Sequence, residues 1–323
     1  MSARNSLTQL LLPISAEIIC VEKRITRLIK VNGFISDSDL ARYIIGGKHL
    51  RAAIVLLIGK MFNVEMEPFH RLSSSIEMLH SATLAHDDLV DGGSIRRNHA
   101  TSSSHTFPVS LLVGDYLLAQ STSELASLED PSLMKIHSNI LLAVCGGEYQ
   151  QWYLSGKSVS RQTYFDIIEK KTASLFAGAA EMAAVLSGTD SETRANLREY
   201  GLEIGTLYQL VDDVLDFIGD EAVLGKTLRQ DLRRGTFTLP TILYQEIQHE
   251  DPIPPSGDLS DSQLSIFVEK LRKSGAIDAA LGEAELYASS CKKSLLGLPE
   301  GMPCRTLESL ADFILDQAKN PQC

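Results

Sequence analysis

The chain has 323 residues, with 30 basic and 41 acidic side chains. The resulting formal charge of −11 excludes sequence-independent nucleic-acid binding through a basic surface. At 44% hydrophobic and 22% charged it has the composition of a folded globular protein, and 6% aromatic content beside abundant Leu, Ala, Ile and Glu favours helices over strands.

The opening MSARNSLTQLLLPISAEI holds one Arg and an apolar run cut by Pro13 and Glu17, a poor secretory signal. The longest uninterrupted apolar stretch, residues 52–58, falls far short of the ~18 residues that span a bilayer, so no transmembrane segment is expected. Proline is absent between Pro13 and Pro68 and between Pro131 and Pro240. In those windows apolar residues recur at three and four, as in Leu72, Ile76 and Leu79 with Thr83, or Leu207, Leu210, Val211 and Val214 interleaved with Gly205 and Gln209. That period predicts long helices. Breaks are expected at Asn32-Gly33, Gly46-Gly47, Gly92-Gly93, residues 106–108, Gly156, Gly188-Thr189 and the DPIPPSGD segment at 251–258. Helical spacing then resumes through Phe267, Leu271, Ile277, Leu281 and Leu286, and through Leu307, Leu310 and Ile314. With no solenoid repeat and no low-complexity tract, the expectation is one all-α domain over residues 1–323. The cysteines Cys20, Cys145, Cys291, Cys304 and Cys323 are odd in number, without a C-x-x-C pair, and read as reduced thiols in cytoplasm.

Chemistry concentrates in two places. In HDDLVDGGSIRRNHAT, Asp87, Asp88 and Asp91 stand at i, i+1 and i+4, so on a helix Asp87 and Asp91 share a face. Carboxylates held together repel unless a cation lies between them, and hard oxygen ligands suit Mg²⁺, which completes its shell with water and substrate phosphates. Arg96 and Arg97 follow at once, and paired guanidinium groups suit a diphosphate. Taken alone, this triad could equally be a solvated helix end. In GTLYQLVDDVLDFIGD, however, Asp212, Asp213 and Asp216 repeat the spacing within a strongly apolar segment, where unpaired carboxylates are costly to bury. Two such triads imply facing helices that clamp magnesium ions around one polyanion, with Lys171 in KKTASL and Lys226 in GKTLRQD as cationic complements.

These segments resemble the trans-isoprenyl diphosphate synthases in family order. IIGGKHLR is similar to the family's glycine-glycine-lysine-x-x-arginine motif, and IEMLHSATLAHDDLVD to its first aspartate-rich motif. GEYQQ and KKTASLF resemble two middle signatures, and QLVDDVLD with GKTLRQD the second aspartate-rich region. The resemblance implies that Asp87, Asp88, Asp91, Asp212, Asp213 and Asp216 ligate magnesium, three ions per site, directly or through water. It implies that Arg96, Lys171 and Lys226 hold an allylic diphosphate, that Lys48, Arg51, His80 and Arg97 hold isopentenyl diphosphate, and that Thr172 and Gln209 present oxygens to a carbocation. It also implies a homodimer, each chain a single large helical bundle around a central cavity. His86 is expected to be a packed helix residue, since magnesium prefers oxygen. This chain departs from the family pattern at His49 and Gln317, where arginine is usual, at Ala52, where proline often stands, and at Thr236, where many relatives have lysine.

The helix leading to Asp87 is the expected ruler of product length. At ~1.5 Å per residue, Ala82 lies about 7.5 Å below Asp87, and Met78 and Leu79 about 12 to 13.5 Å. A small Ala82, a flexible Met78, and Ser74 and Ser75 beyond them point to a long-chain product of the kind used for quinone side chains, while Leu79 or Thr83 could close the path at farnesyl or geranylgeranyl length. A phosphohydrolase built on His86-Asp87 leaves the second triad unexplained, and a terpene cyclase mixes Asn, Ser or Thr with Glu in its second motif. A regulatory subunit of a heteromeric synthase would be expected to lose metal ligands, and both triads are intact.

Overall fold

The computed structural model describes residues 3–30, 47–90, 95–96, 99–100, 106–219, 228–249 and 260–320. Helix α1 (Ala3–Leu10) passes through a 3-10 turn at Leu12–Ile14, where Pro13 sits, into α2 (Ser15–Lys30), whose buried stripe is Val21, Ile25 and Ile29. Helix α3 (Leu50–Met61) contains the apolar run 52–58 and is buried almost all round. Helix α4 (Glu67–Val90) accepts Pro68 in its first turn, where the missing N–H has no intrahelical acceptor to lose. A two-residue antiparallel ladder follows, β1 (Ile95–Arg96) against β2 (His99–Ala100), with Arg96 opposite His99.

Helix α5 is Thr106–Ala126. The break expected at 106–108 coincides with the start of this helix, with Pro108 in its first turn, a position that tolerates proline. Helix α6 (Pro131–Leu154) starts behind Asp130, whose carboxylate accepts from Ser132 N at 2.8 Å. Helix α7 (Arg161–Ile168) runs through a π-helical turn, Glu169–Ala173, into α8 (Ser174–Leu186). Gly188, at φ +67°, then turns the chain into α9 (Ser191–Ile218), capped by Asp190 accepting from Thr193 N at 2.7 Å. The remaining elements are α10 (Gln230–Arg234), α11 (Leu239–Ile247), α12 (Asp261–Lys273), α13 (Ala276–Ser294) and α14 (Met302–Lys319). The expected breaks at Asn32-Gly33, Gly46, Gly92-Gly93 and 251–258 lie outside the described residues.

Helix α8 is the hub: α3, α4, α6 and α9 all pack on it, and α9 in turn carries α13 and α14. Its Ala-rich, almost wholly buried sequence lets these neighbours approach closely. Ser75 on α4 does not open space below Ala82. Its hydroxyl donates to the Ser121 carbonyl of α5 at 2.8 Å and Ser121 returns the bond to the Ser75 carbonyl at 2.8 Å, so these small residues draw two helices together. Ser74 bonds its own helix at the His70 carbonyl. Cys20, Cys145, Cys291 and Cys304 are free thiols. Among the described residues no helix is long and apolar enough to cross a membrane.

Candidate active site

Asp87 and Asp88 occupy the last turn of α4, and Asp212, Asp213 and Asp216 the last turns of α9; neither helix has a basic residue in its final turn. A helix C-terminus already carries partial negative charge, so carboxylates gathered there raise a potential that a cation relieves. Asp87, Asp88 and Asp212 are half-buried, while Asp213 and Asp216 are buried. Among the described residues no three acidic or imidazole groups surround a single point. The oxygen-only donor set fits a hard divalent cation, with water and substrate oxygens completing its shell. Two arginines secure the end of α9: Arg229 N donates to Asp216 Oδ1 at 2.8 Å, and Arg272 Nε donates to the Phe217 carbonyl at 2.8 Å. Asp91, Arg97 and Lys226 lie outside the described residues, as does the Arg96 side chain; the backbone of Arg96 is on β1.

Lys171 and Thr172 sit on the π turn, where the helix is widened by one residue, a local distortion that often marks functional positions. Two glycines permit it. A Cβ on Gly147 of α6 would stand 2.8 Å from Lys171 N, and one on Gly205 of α9 would stand 2.6 Å from Ala173 Cα. Lys171 Nζ is 2.6 Å from Glu148 Oε2, the acidic residue of the GEYQQ segment. Thr172 Oγ1 donates to Gln209 Oε1 at 2.8 Å, Gln209 Nε2 donates to Asp213 Oδ1 at 2.8 Å, and Tyr164 OH donates to Asp213 Oδ2 at 2.6 Å. Burial, and next the charge of Asp231, push the Asp213 carboxyl well above the usual carboxylate range, against the opposing pull of these two donors. Tyr164 is likewise pushed up by burial and by Asp213, so its phenol stays protonated and donates.

Arg51 is buried with its guanidinium carbon 4.1 Å from the centre of the Phe176 ring, and Phe176 packs against Tyr208 with ring centres 5.8 Å apart. Burial lowers the Arg51 pKa, offset in part by Tyr208 and Glu77. Glu77 organises the start of α3. Its carboxylate accepts from Ala52 N at 3.1 Å and lies 2.9 Å from His49 Nδ1, while His49 Nε2 is 3.3 Å from Glu22. Burial alone would raise the Glu77 pKa, but His49, Arg51 and the Ala52 amide together hold it below the ordinary value. His49 pairs with Glu77 from a left-handed backbone, φ 48°. Lys48 Nζ donates to Gln317 Oε1 of α14 at 2.5 Å, which joins the glycine-rich segment to the C-terminal helix.

His80 is half-buried, and its carbonyl accepts from Thr83 Oγ1 at 2.8 Å. Met78, Leu79 and Ala82 are buried, and Thr83 half-buried. His86 Nε2 lies 3.2 Å from Asp115 Oδ1 and its ring covers Gly114, where a Cβ would come within 2.3 Å, so it packs as a helix residue. Sequence reasoning missed Tyr164, Glu77 and Glu148. Glu148 was within reach, since a half-buried lysine needs a counterion and GEYQQ supplies one, whereas no spacing joins Tyr164 to Asp213 across the chain.

The polyprenyl synthetase family model matches residues 38–253. Heptaprenyl diphosphate synthase component 2 of Bacillus subtilis is 30% identical over 92% of this chain and 87% of its own length. The chloroplastic solanesyl-diphosphate synthase 2 of Oryza sativa subsp. japonica is 33% identical over 84% of this chain and 70% of its own. Among solved structures, a Caulobacter crescentus polyprenyl synthase complexed with calcium and isoprenyl diphosphate aligns with a TM-score of 0.85 at 30% identity, covering 96% of this chain and 97% of that one. A decaprenyl diphosphate synthase from Rhodobacter capsulatus aligns at 0.86 and 26%, covering 97% and 99%. With its paired aspartate helix ends, its π turn and these relatives over nearly its whole length, the chain belongs to the polyprenyl synthetase family and has the all-α type I isoprenoid synthase fold.

Proposed function

We propose that this chain is a trans-polyprenyl diphosphate synthase, a prenyltransferase that condenses isopentenyl diphosphate with an allylic diphosphate and makes a long-chain product. The observation that carries the reading is that α4 and α9, each with aspartates in its last turns, pack on the same helix, α8, which follows directly from the π turn bearing Lys171 and Thr172. Asp87, Asp88, Asp91, Asp212 and Asp216 would hold Mg²⁺, three ions per site, directly or through water. Bound there, such ions would supply positive charge that stabilises the diphosphate leaving group. Arg96, Lys171 and Lys226 hold that diphosphate. Lys48, Arg51, His80 and Arg97 hold the diphosphate of isopentenyl diphosphate, where Arg51, already desolvated against Phe176, binds an anion more strongly than a solvated guanidinium would. Thr172 and Gln209 set oxygen lone pairs beside the allylic cation. The departed diphosphate takes the proton that restores the double bond, and an aliphatic interior keeps water from the cation.

Long-chain relatives, heptaprenyl and solanesyl among them, and a small buried Ala82 support a product beyond geranylgeranyl length. The test supplies the purified chain with Mg²⁺, labelled isopentenyl diphosphate and allylic starters from dimethylallyl to geranylgeranyl, and resolves products by length. A ladder ending beyond the geranylgeranyl product is expected, and Ala82→Phe should truncate it at farnesyl or geranylgeranyl. Condensation absent with every starter from the dimeric protein would sink the assignment; an unchanged ladder in Ala82→Phe would remove Ala82 from the ruler.

We further infer a homodimer working as one domain in the cytoplasm. The ends of the chain are joined, since α1 packs on α14, and the surface thiols Cys20 and Cys145 suit a reducing compartment. Leu142, Tyr149, Trp152 and Tyr153 form an exposed apolar stripe along α6, with Leu142 71% and Trp152 61% accessible. A stripe of this size calls for a partner. Light scattering should give twice the chain mass, and Leu142→Glu with Trp152→Glu should halve it. The Bacillus subtilis relative is named as a component, which favours a second reading in which this chain works with a different subunit. A monomer that is inactive alone would support that reading over the homodimer.

A further inference from the structure

Both oxygens of the Asp213 carboxylate are engaged by the chain itself. Oδ1 accepts from Gln209 Nε2 at 2.8 Å and Oδ2 from Tyr164 OH at 2.6 Å, and all of these bonds lie within α7 and α9. Asp213 and Tyr164 are buried. The edge of the Gln209 amide turned toward Asp213 is the nitrogen, which donates to Oδ1 and holds the amide in one orientation. The amide oxygen is thereby turned to Thr172, whose hydroxyl donates to it at 2.8 Å. The resulting chain, Tyr164 to Asp213 to Gln209 to Thr172, starts in the core between α7 and α9 and ends on the π turn. Asp212, by contrast, is half-buried at the helix end.

We propose that Tyr164 is a positioning residue for the condensation: through Asp213 it fixes the Gln209 amide with its oxygen on the Thr172 side, and Asp213 serves this chain of bonds rather than a metal ion. A fixed dipole stabilises a developing cation without reorganising when the charge appears, whereas a freely rotating amide must first be turned. The inference rests on the reading of Thr172 and Gln209 as oxygens facing the allylic cation. It leaves the metal from this motif to Asp212 and Asp216.

Tyr164→Phe removes one hydroxyl and keeps the ring. The expected result is a kcat lower by roughly tenfold, with KM for both diphosphates changed by less than about twofold. Calorimetric titration of Mn²⁺ in the presence of a non-ionisable allylic thiolodiphosphate should be unchanged in Tyr164→Phe and in Asp213→Asn, and weakened in Asp212→Asn. Weakened ion binding in Asp213→Asn would make it a ligand and overturn the proposal. If Tyr164→Phe does not fold, Asp213→Asn, which preserves side-chain volume, decides by the same readouts. Because Tyr164 acts through Gln209, the double variant Tyr164→Phe, Gln209→Leu should be no slower than Gln209→Leu alone, and multiplying losses would overturn the link. A slow Gln209→Leu beside a full-speed Tyr164→Phe sinks this proposal only, whereas a full-speed Gln209→Leu sinks the cation-facing reading and the proposal with it.

Discussion

Replacing Asp87 or Asp212 with Ala should lower turnover by at least about a hundredfold while leaving the metal-free protein as stable as before, or slightly more so. The two halves of this result come from one piece of geometry. Each carboxylate lies in the last turns of a helix that has no basic residue there, so it adds negative charge to the negative end of the dipole. Taking it away relieves about 0.3–1 kcal/mol of unfavourable interaction in the ion-free protein. The same charge is what would draw the divalent ion, so the variant loses both the ion and the stabilisation of the leaving diphosphate. Steady-state kinetics across a Mg²⁺ titration read the first half, and thermal melting with and without Mg²⁺ and inorganic diphosphate reads the second. Wild-type protein should melt higher with the pair added, by mass action on the folded state, and the variants should not. Variants that keep more than a tenth of the turnover would remove these aspartates from the metal site.

The helices, and the placing of Asp212, Asp213 and Asp216 along one of them, were legible because they are local. Apolar spacing of three and four fixes a helix face, and carboxylates at i, i+1 and i+4 stay together whatever surrounds them. What each carboxylate touches is not local. Asp213 meets Tyr164 across 49 residues of sequence, so a spacing that makes Asp212 and Asp213 look equivalent hides that one is half-buried and the other bonded into the core. The π turn was illegible for the same reason. Nothing in EKKTA marks it, and it depends on the close approach of α6 and α9 at Gly147 and Gly205. Ser75 looked like open space because a small side chain can mean a cavity or a close helix contact, and only the reciprocal bonds with Ser121 tell them apart. The ladder between β1 and β2 is too short to carry an alternating pattern.

Gly205→Ala should be far more damaging than its single methyl group suggests, and Gly282→Ala mildly stabilising. At Gly205 the added Cβ would stand 2.6 Å from Ala173 Cα and 3.0 Å from both Ala173 Cβ and Phe176 Cδ2. The nearest of these is backbone, which cannot swing aside as the tip of a flexible side chain could. Helix α9 must therefore draw back from the π turn, or the turn must rewind. Either movement strains the 2.8 Å bond between Thr172 and Gln209 and shifts Lys171 relative to the aspartates on α9. Overpacking of this kind costs about 1–3 kcal/mol, a sizeable share of the roughly 5–15 kcal/mol that a domain has. Gly282, within α13, has open space where its Cβ would be, so alanine there gains about 0.5–1 kcal/mol of helix propensity with no collision. Melting temperatures should move in opposite directions in the two variants, and kcat should fall more than about tenfold only in Gly205→Ala. Equal stabilities would mean that α9 and the π turn can separate freely, and a stable but fully active Gly205→Ala would mean that the register of Thr172 against Gln209 does not matter to the reaction.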